Sequence, residues 1–161
     1  MNPILLGLCL GFILALLGGL LSARLLLPRL LLPEVRSAYG LEGTVSCLTN
    51  AAKAAGWVVQ SVVELDQSIE KNGGGVVRPV RLVNLCQAKH AARIMQDDTA
   101  HRVSVLMPCT LSVYEKRDGS VWVGAMNPGL IAPFFGGVVA EVMGGVVARE
   151  QAAFLAAVRR D

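Results

Sequence analysis

"VSVLMPCTLSVYEKRDGSVWVGAMN", residues 103 to 127, holds two β-rich runs divided by Arg117, Asp118, Gly119 and Ser120. An Asp-Gly pair between such runs is the residue chemistry of a tight hairpin, because the turn demands backbone angles that glycine accepts without strain. The two runs therefore pair antiparallel. Pro108 sits inside the first run; lacking an N–H, it marks an edge, a bulge or a bend. The segments on either side of the hairpin are then read as the elements that extend and cover it.

Upstream, "RSAYGLEG" reads as a short strand or turn. Thr44 to Ala55 reads as a helix with Val45, Leu48 and Ala52 on one face, stopped by Gly56. "WVVQSVVEL" (57–65) is rich in β-branched residues and reads as a strand. "DQSIEKNGGG" is a short helical turn and loop, with Asp66 the expected N-cap. "VRPVRLVNLC" (77–86) reads as a strand, and "QAKHAARIMQDD" (87–98) as a helix with Ala88, Ala91, Ala92 and Met95 inward. Downstream, residues 128 to 160 form a glycine-interrupted apolar segment that becomes an amphipathic helix, with Arg159 and Arg160 complementing its dipole. The sum is an α+β fold: an antiparallel sheet with helices on one face.

A chain of 161 residues has room for one such domain and an appendage. The appendage is N-terminal. Ile4 to Ala23 carries no charged residue, and about 20 helical residues span roughly 30 Å, the thickness of a bilayer's hydrocarbon core. No Lys or Arg precedes the run, and apolar character resumes beyond Arg24, so a retained anchor is expected rather than a cleaved signal. Gly7, Gly11, Ala15 and Gly19 recur every fourth residue, and such a stripe lets a second helix approach closely. The expected partners are the lipid bilayer and a membrane protein, or a second copy of this chain, packed against that stripe. The division is an anchor over 1–23, a Pro/Leu/Arg interfacial neck over 24–36 broken by Pro28 and Pro33, and an α+β domain over 37–161. Arg24, Arg29 and Arg36 follow the span, which places the domain on the cytoplasmic side by the positive-inside rule. Net charge is +3 with acids and bases interspersed, so nucleic acid is not an expected partner.

Four cysteines include Cys9 within the apolar run, and Cys47, Cys86 and Cys109 form no C-x-x-C pair. Neither a disulfide framework nor a structural zinc site is indicated. Cys86 falls where a strand hands over to a helix, where free backbone N–H groups favour a thiolate. His90 lies one turn further on, and Cys109 follows Pro108 on a neighbouring strand. Three uses stand for Cys86, His90 and Cys109: packing, a thiol or sulfur-handling site, or contact with a metal or haem. Met107, Met126 and Met143 are soft donors that also fit core patterns. No nucleotide, metalloprotease or serine-hydrolase motif occurs, so no catalytic residue and no cofactor is assigned.

"GWVV" (56–59), "VNLCQAKHAARIMQDD" (83–98), "VLMPCTLSVYEKRDGSVWV" (105–123) and "MNPGLIAPFFGG" (126–137) together resemble the bacterial and archaeal family called domain of unknown function 302. The resemblance runs from about Ser37 to Leu155. It implies a β-α-β(4)-α fold, similar to curved sheets of the TATA-binding-protein type, in a bacterial or archaeal cytoplasmic membrane, and it brings no reaction or cofactor. Gln87-Ala88 stands where the family often has Asn-Pro, which alters the turn expected there. Two functions follow as expectations. One is a non-enzymatic, membrane-anchored accessory subunit whose helix docks into, and whose domain caps, a larger energy-converting complex. The alternative is a membrane-tethered thiol or ligand-binding protein of redox or sulfur metabolism that uses Cys86 and Cys109.

Overall fold

The structure, a computed structural model, describes residues 3–160, and only the backbone of residues 3–6, 8–10, 13 and 14. Five strands form one antiparallel sheet: β1 (Glu34–Arg36), β2 (Val58–Glu64), β3 (Val80–Cys86), β4 (Cys109–Glu115) and β5 (Val121–Ala125). Their spatial order is β1-β5-β4-β3-β2. The β4–β5 hairpin is closed as its turn residues require. Gly119 has φ +76°, Lys116 N–H donates to the Ser120 carbonyl at 2.9 Å, and Asp118 Oδ1 accepts from the Ser120 N–H at 3.0 Å.

The register decides which face is buried. Val83 lies opposite Leu111 and Val113 opposite Val123, so these side chains make one apolar row with Leu85, Val121 and Ala125, all buried. Helices close over that row. They are α2 (Leu41–Ala54), which contributes Leu48 and Ala52, α4 (Ala88–Met95), which contributes Ile94, and the C-terminal helical run. That run comprises α6 (Gly137–Glu141), a π-helical stretch over Val142–Val147, and α7 (Ala148–Val158). It buries Val142, Met143, Val147, Phe154 and Val158. Gly144 and Gly145 fall inside the π stretch. A Cβ at Gly144 would stand 3.5 Å from that of Ala132, so glycine sets how closely α5 (Pro128–Ile131) and the turn after it approach. On the other face, Asn84 bridges strands by donating to Ser61 Oγ at 2.9 Å and accepting from Thr110 Oγ1 at 2.7 Å.

Several expectations need correction. Val103 to Leu106 is not strand but the end of a 3₁₀ segment, Asp98–Leu106. Val103 is 1% exposed and Val105 83%, whereas residues two apart in a strand share a face. Pro108 therefore precedes β4 instead of interrupting it, following a cis Met107–Pro108 peptide. Asp66 does not cap a helix. Glu64 holds the N-cap position of α3 (Leu65–Lys71) without a side-chain bond, because the Asp66 carboxylate is taken by Arg81 Nη1 at 2.6 Å. The inward face of α4 also differs: Ile94 is buried and His90 and Ala91 are half-buried, while Ala88 and Ala92 are exposed. Finally, α3 and α4 interrupt what the β-α-β(4)-α pattern writes as four successive strands.

At the N-terminus the backbone is helical over α1 (Pro3–Leu31), through Pro28. The break expected at that proline is absent because the helix end is held. Asn127 N–H donates to the Leu31 carbonyl at 2.8 Å, and its Nδ2 donates to the Leu30 carbonyl at 3.1 Å, satisfying groups that a helix end leaves open. Asn127 also caps α5, accepting from the Leu130 N–H at 3.2 Å. The end of the expected neck, Glu34–Arg36, is the edge strand β1, so the sheet begins within that segment. Among the described residues no helix is long and apolar enough to cross a membrane. Side chains 4–6, 8–10, 13 and 14 of the Ile4–Ala23 run lie outside that description, and so does much of the anchor expectation.

Candidate functional site

A recess of about 330 Å³, partly open to solvent, lies where α4 crosses the end of β3 and the start of β4. Antiparallel pairing creates it. Leu85 stands opposite Cys109, which puts Cys86, the last residue of β3, beside the first residue of β4. Chain direction then turns at Gln87, whose Oε1 accepts from the Lys89 N–H at 2.7 Å and caps α4. The helix points His90, Ala91 and Ile94 back toward the strand ends. Thus the structure gathers all three sequence candidates, Cys86, His90 and Cys109, around one space. Cys86 sits one position before the cap, and Gln87 serves the helix terminus in its place.

The lining is almost wholly apolar, and both thiols are free and half-buried. Burial pushes the Cys109 thiol up to about 11, and the neighbouring Cys86 adds to the shift. A group taken from water loses the solvation that its charged form needs, so Cys109 is a protonated thiol at neutral pH. His90 does not offset this. Its Nε2 lies 3.2 Å from Glu150 Oε2 on α7, and that oxygen also accepts from Trp57 Nε1 at 2.8 Å. Trp57 meets the His90 ring edge-on, with centroids 6.2 Å apart, and Phe154 at 5.6 Å. Glu150 thereby fixes the orientation of the imidazole.

Glu150 was not legible as a site residue, since it pairs with Trp57 and His90 across 93 and 60 positions. Met107 and Met143 also line the recess; Met126 does not. Among the described residues no group of three His, Cys, Asp or Glu side chains is arranged to hold a metal ion. A first prediction follows from the raised thiol. Iodoacetamide should label Cys109 in the folded chain far more slowly than a free cysteine near neutral pH. The rate should climb roughly tenfold per pH unit toward pH 11 as the thiolate fraction grows. Mass mapping of the alkylated peptide checks this, and fast labelling at pH 7 would contradict it.

The architecture is that of an α+β domain in which a single antiparallel sheet is covered by helices on one face, with the recess at one end. The family model for Domain of unknown function DUF302 matches residues 33–158, and the chain belongs to that family. A crystal structure of an uncharacterized conserved DUF302 protein from Bacillus stearothermophilus superposes with a TM-score of 0.70 at 20% identity. The match covers 80% of this chain and 98% of that one, a likeness of fold. No curated protein matches the chain.

Proposed function

We propose that the chain is a non-enzymatic accessory subunit of a larger membrane complex in a bacterial or archaeal cytoplasmic membrane. In this reading α1 crosses the bilayer and the domain caps the complex on the cytoplasmic side. The observation that carries it is the uncovered state of α1. Phe12, Leu16, Leu17, Leu20, Leu21, Leu25 and Leu26 are all exposed, and they fall around the whole helix. A helix apolar all round is at rest only inside a protein core or a bilayer, and the domain's own core does not receive this one. Burial of one exposed leucine is worth about 2 kcal/mol, so leaving several in water forgoes a gain that a bilayer or partner would supply. The Ile4–Ala23 run has the length and lack of charge for a span.

The helix stripe supplies the docking element. Among the described residues a Cβ added at Gly7, Gly11 or Gly19 meets nothing within 4 Å, so no close contact among them requires these glycines. Asn127 clamps the base of α1 to α5, which couples the orientation of the domain to that of the span. The thiol-chemistry alternative is weakened by the raised Cys109 thiol. Extraction of the native membrane in a mild detergent tests the proposal. The chain is expected in an assembly much larger than one copy in its micelle; migration as a single chain would overturn it.

A further inference from the structure

We propose that the recess beside α4 is a soft-cation site: it takes one Cu(I) between the sulfurs of Cys86 and Cys109, with a thioether of Met107 or Met143 as third donor. Four residues of the lining carry sulfur, and they arrive from the end of β3, the approach to β4 and the π-helical stretch. That all four line one recess is a tertiary result, not a local sequence pattern. The inference is independent of the accessory-subunit reading.

Donor type selects the metal. Thiolate and thioether ligands favour Cu(I), and carboxylate, carbonyl and water favour Mg²⁺, Ca²⁺ or Mn²⁺. No oxygen-rich lining is present; the nearby carboxylate of Glu150 already serves Trp57 and His90. Zinc prefers four tetrahedral ligands from Cys, His and carboxylates, and among the described residues not even three of these converge. Cu(I) is satisfied by two or three soft donors.

Binding is a proton exchange without electron transfer. Cu(I) displaces the two thiol protons to solvent, two Cu–S bonds form, and the metal remains Cu(I), giving a bis-thiolate with one negative charge. Cys86, half-buried at the strand end, leaves a path for the ion.

The test uses the full chain in detergent, with Cys9→Ser and Cys47→Ser to silence the other thiols, titrated anaerobically with Cu(I) against bicinchoninate. One Cu(I) per chain is expected, with thiolate-to-copper absorption in the ultraviolet and an all-sulfur shell by X-ray absorption. Cys86→Ser or Cys109→Ser should weaken binding at least ~100-fold and Met107→Leu about 10-fold, while Zn²⁺ gains no site. Circular dichroism confirms folding of each variant, and Cys86→Ser carries the test if Cys109→Ser does not fold. Copper uptake unchanged by Cys86→Ser, or equal uptake of Zn²⁺, would overturn the proposal.

Discussion

Asp66→Ala should destabilise the domain by about 3 kcal/mol, because it strands a charge beneath the helices. Arg81 projects from the core face of β3 and is 9% exposed. Its Nη1 donates to Asp66 Oδ1 at 2.6 Å. Its Nε lies 3.3 Å from Glu42 and 3.6 Å from Glu64, yet makes no hydrogen bond, so those contacts are ion pairs without directional bonding. Glu42 and Glu64 are well exposed, with side chains 72% and 47% accessible; water screens them, and Glu42→Ala or Glu64→Ala should cost under about 0.5 kcal/mol each. The Asp66 change should lower Tm by roughly 10 °C for a chain of this size, and thermal unfolding by circular dichroism measures it. Arg81→Met on the Asp66→Ala background should recover much of the loss, since an apolar side chain of similar length needs no partner. Equal effects of Asp66→Ala and Glu42→Ala would show that the short contact carries no special weight.

Gly11→Leu should weaken association of α1 with its partner by about tenfold or more, roughly 1.4 kcal/mol, while leaving membrane insertion intact. Close helix approach depends on small residues, because lipid gives two apolar helices no hydrophobic reason to meet. A leucine at this position pushes the partner away. The same leucine is more apolar than glycine, so insertion into the bilayer is not opposed. Among the described residues nothing lies within 4 Å of the added Cβ, which separates a partner effect from a folding effect. Pull-down yield from detergent extracts is the readout, with the amount of chain in the membrane fraction as control. Unchanged yield would remove the glycine stripe from the account.

The α+β class was legible because its deciding signals are local. Asp118-Gly119 closes the hairpin where the dipeptide indicates, and Val45, Leu48 and Ala52, spaced along α2, are all buried. What local reading missed depends on distant partners. Asp66 has the residue type of a cap, but an arginine 15 positions away claims it. Val103 to Leu106 has the β-branched composition of a strand; Asp97 caps the Thr99 N–H at 2.9 Å, and Ala100 and Val103 share the buried side at the three-residue spacing of a 3₁₀ turn. The site shows the same division. Cys86, His90 and Cys109 were picked out by type and position, and β3–β4 pairing brings them together. Gln87 as the cap, Glu150 as the carboxylate orienting His90, and the sulfurs of Met107 and Met143 emerge only from tertiary packing. The rotation of α4 that turns His90 inward follows from burying Ile94, a choice that a small-residue-rich sequence such as "AKHAARIM" leaves open by pattern alone.

The central claim is that α1 anchors the mature chain in a bilayer, and the most direct measurement is the intact mass of the chain recovered from membranes washed with alkaline carbonate. The account predicts that the chain stays in the pellet with a mass that includes residues 4–23. Release of the chain into the wash, or a pelleted species whose mass begins beyond Ala23, would contradict it.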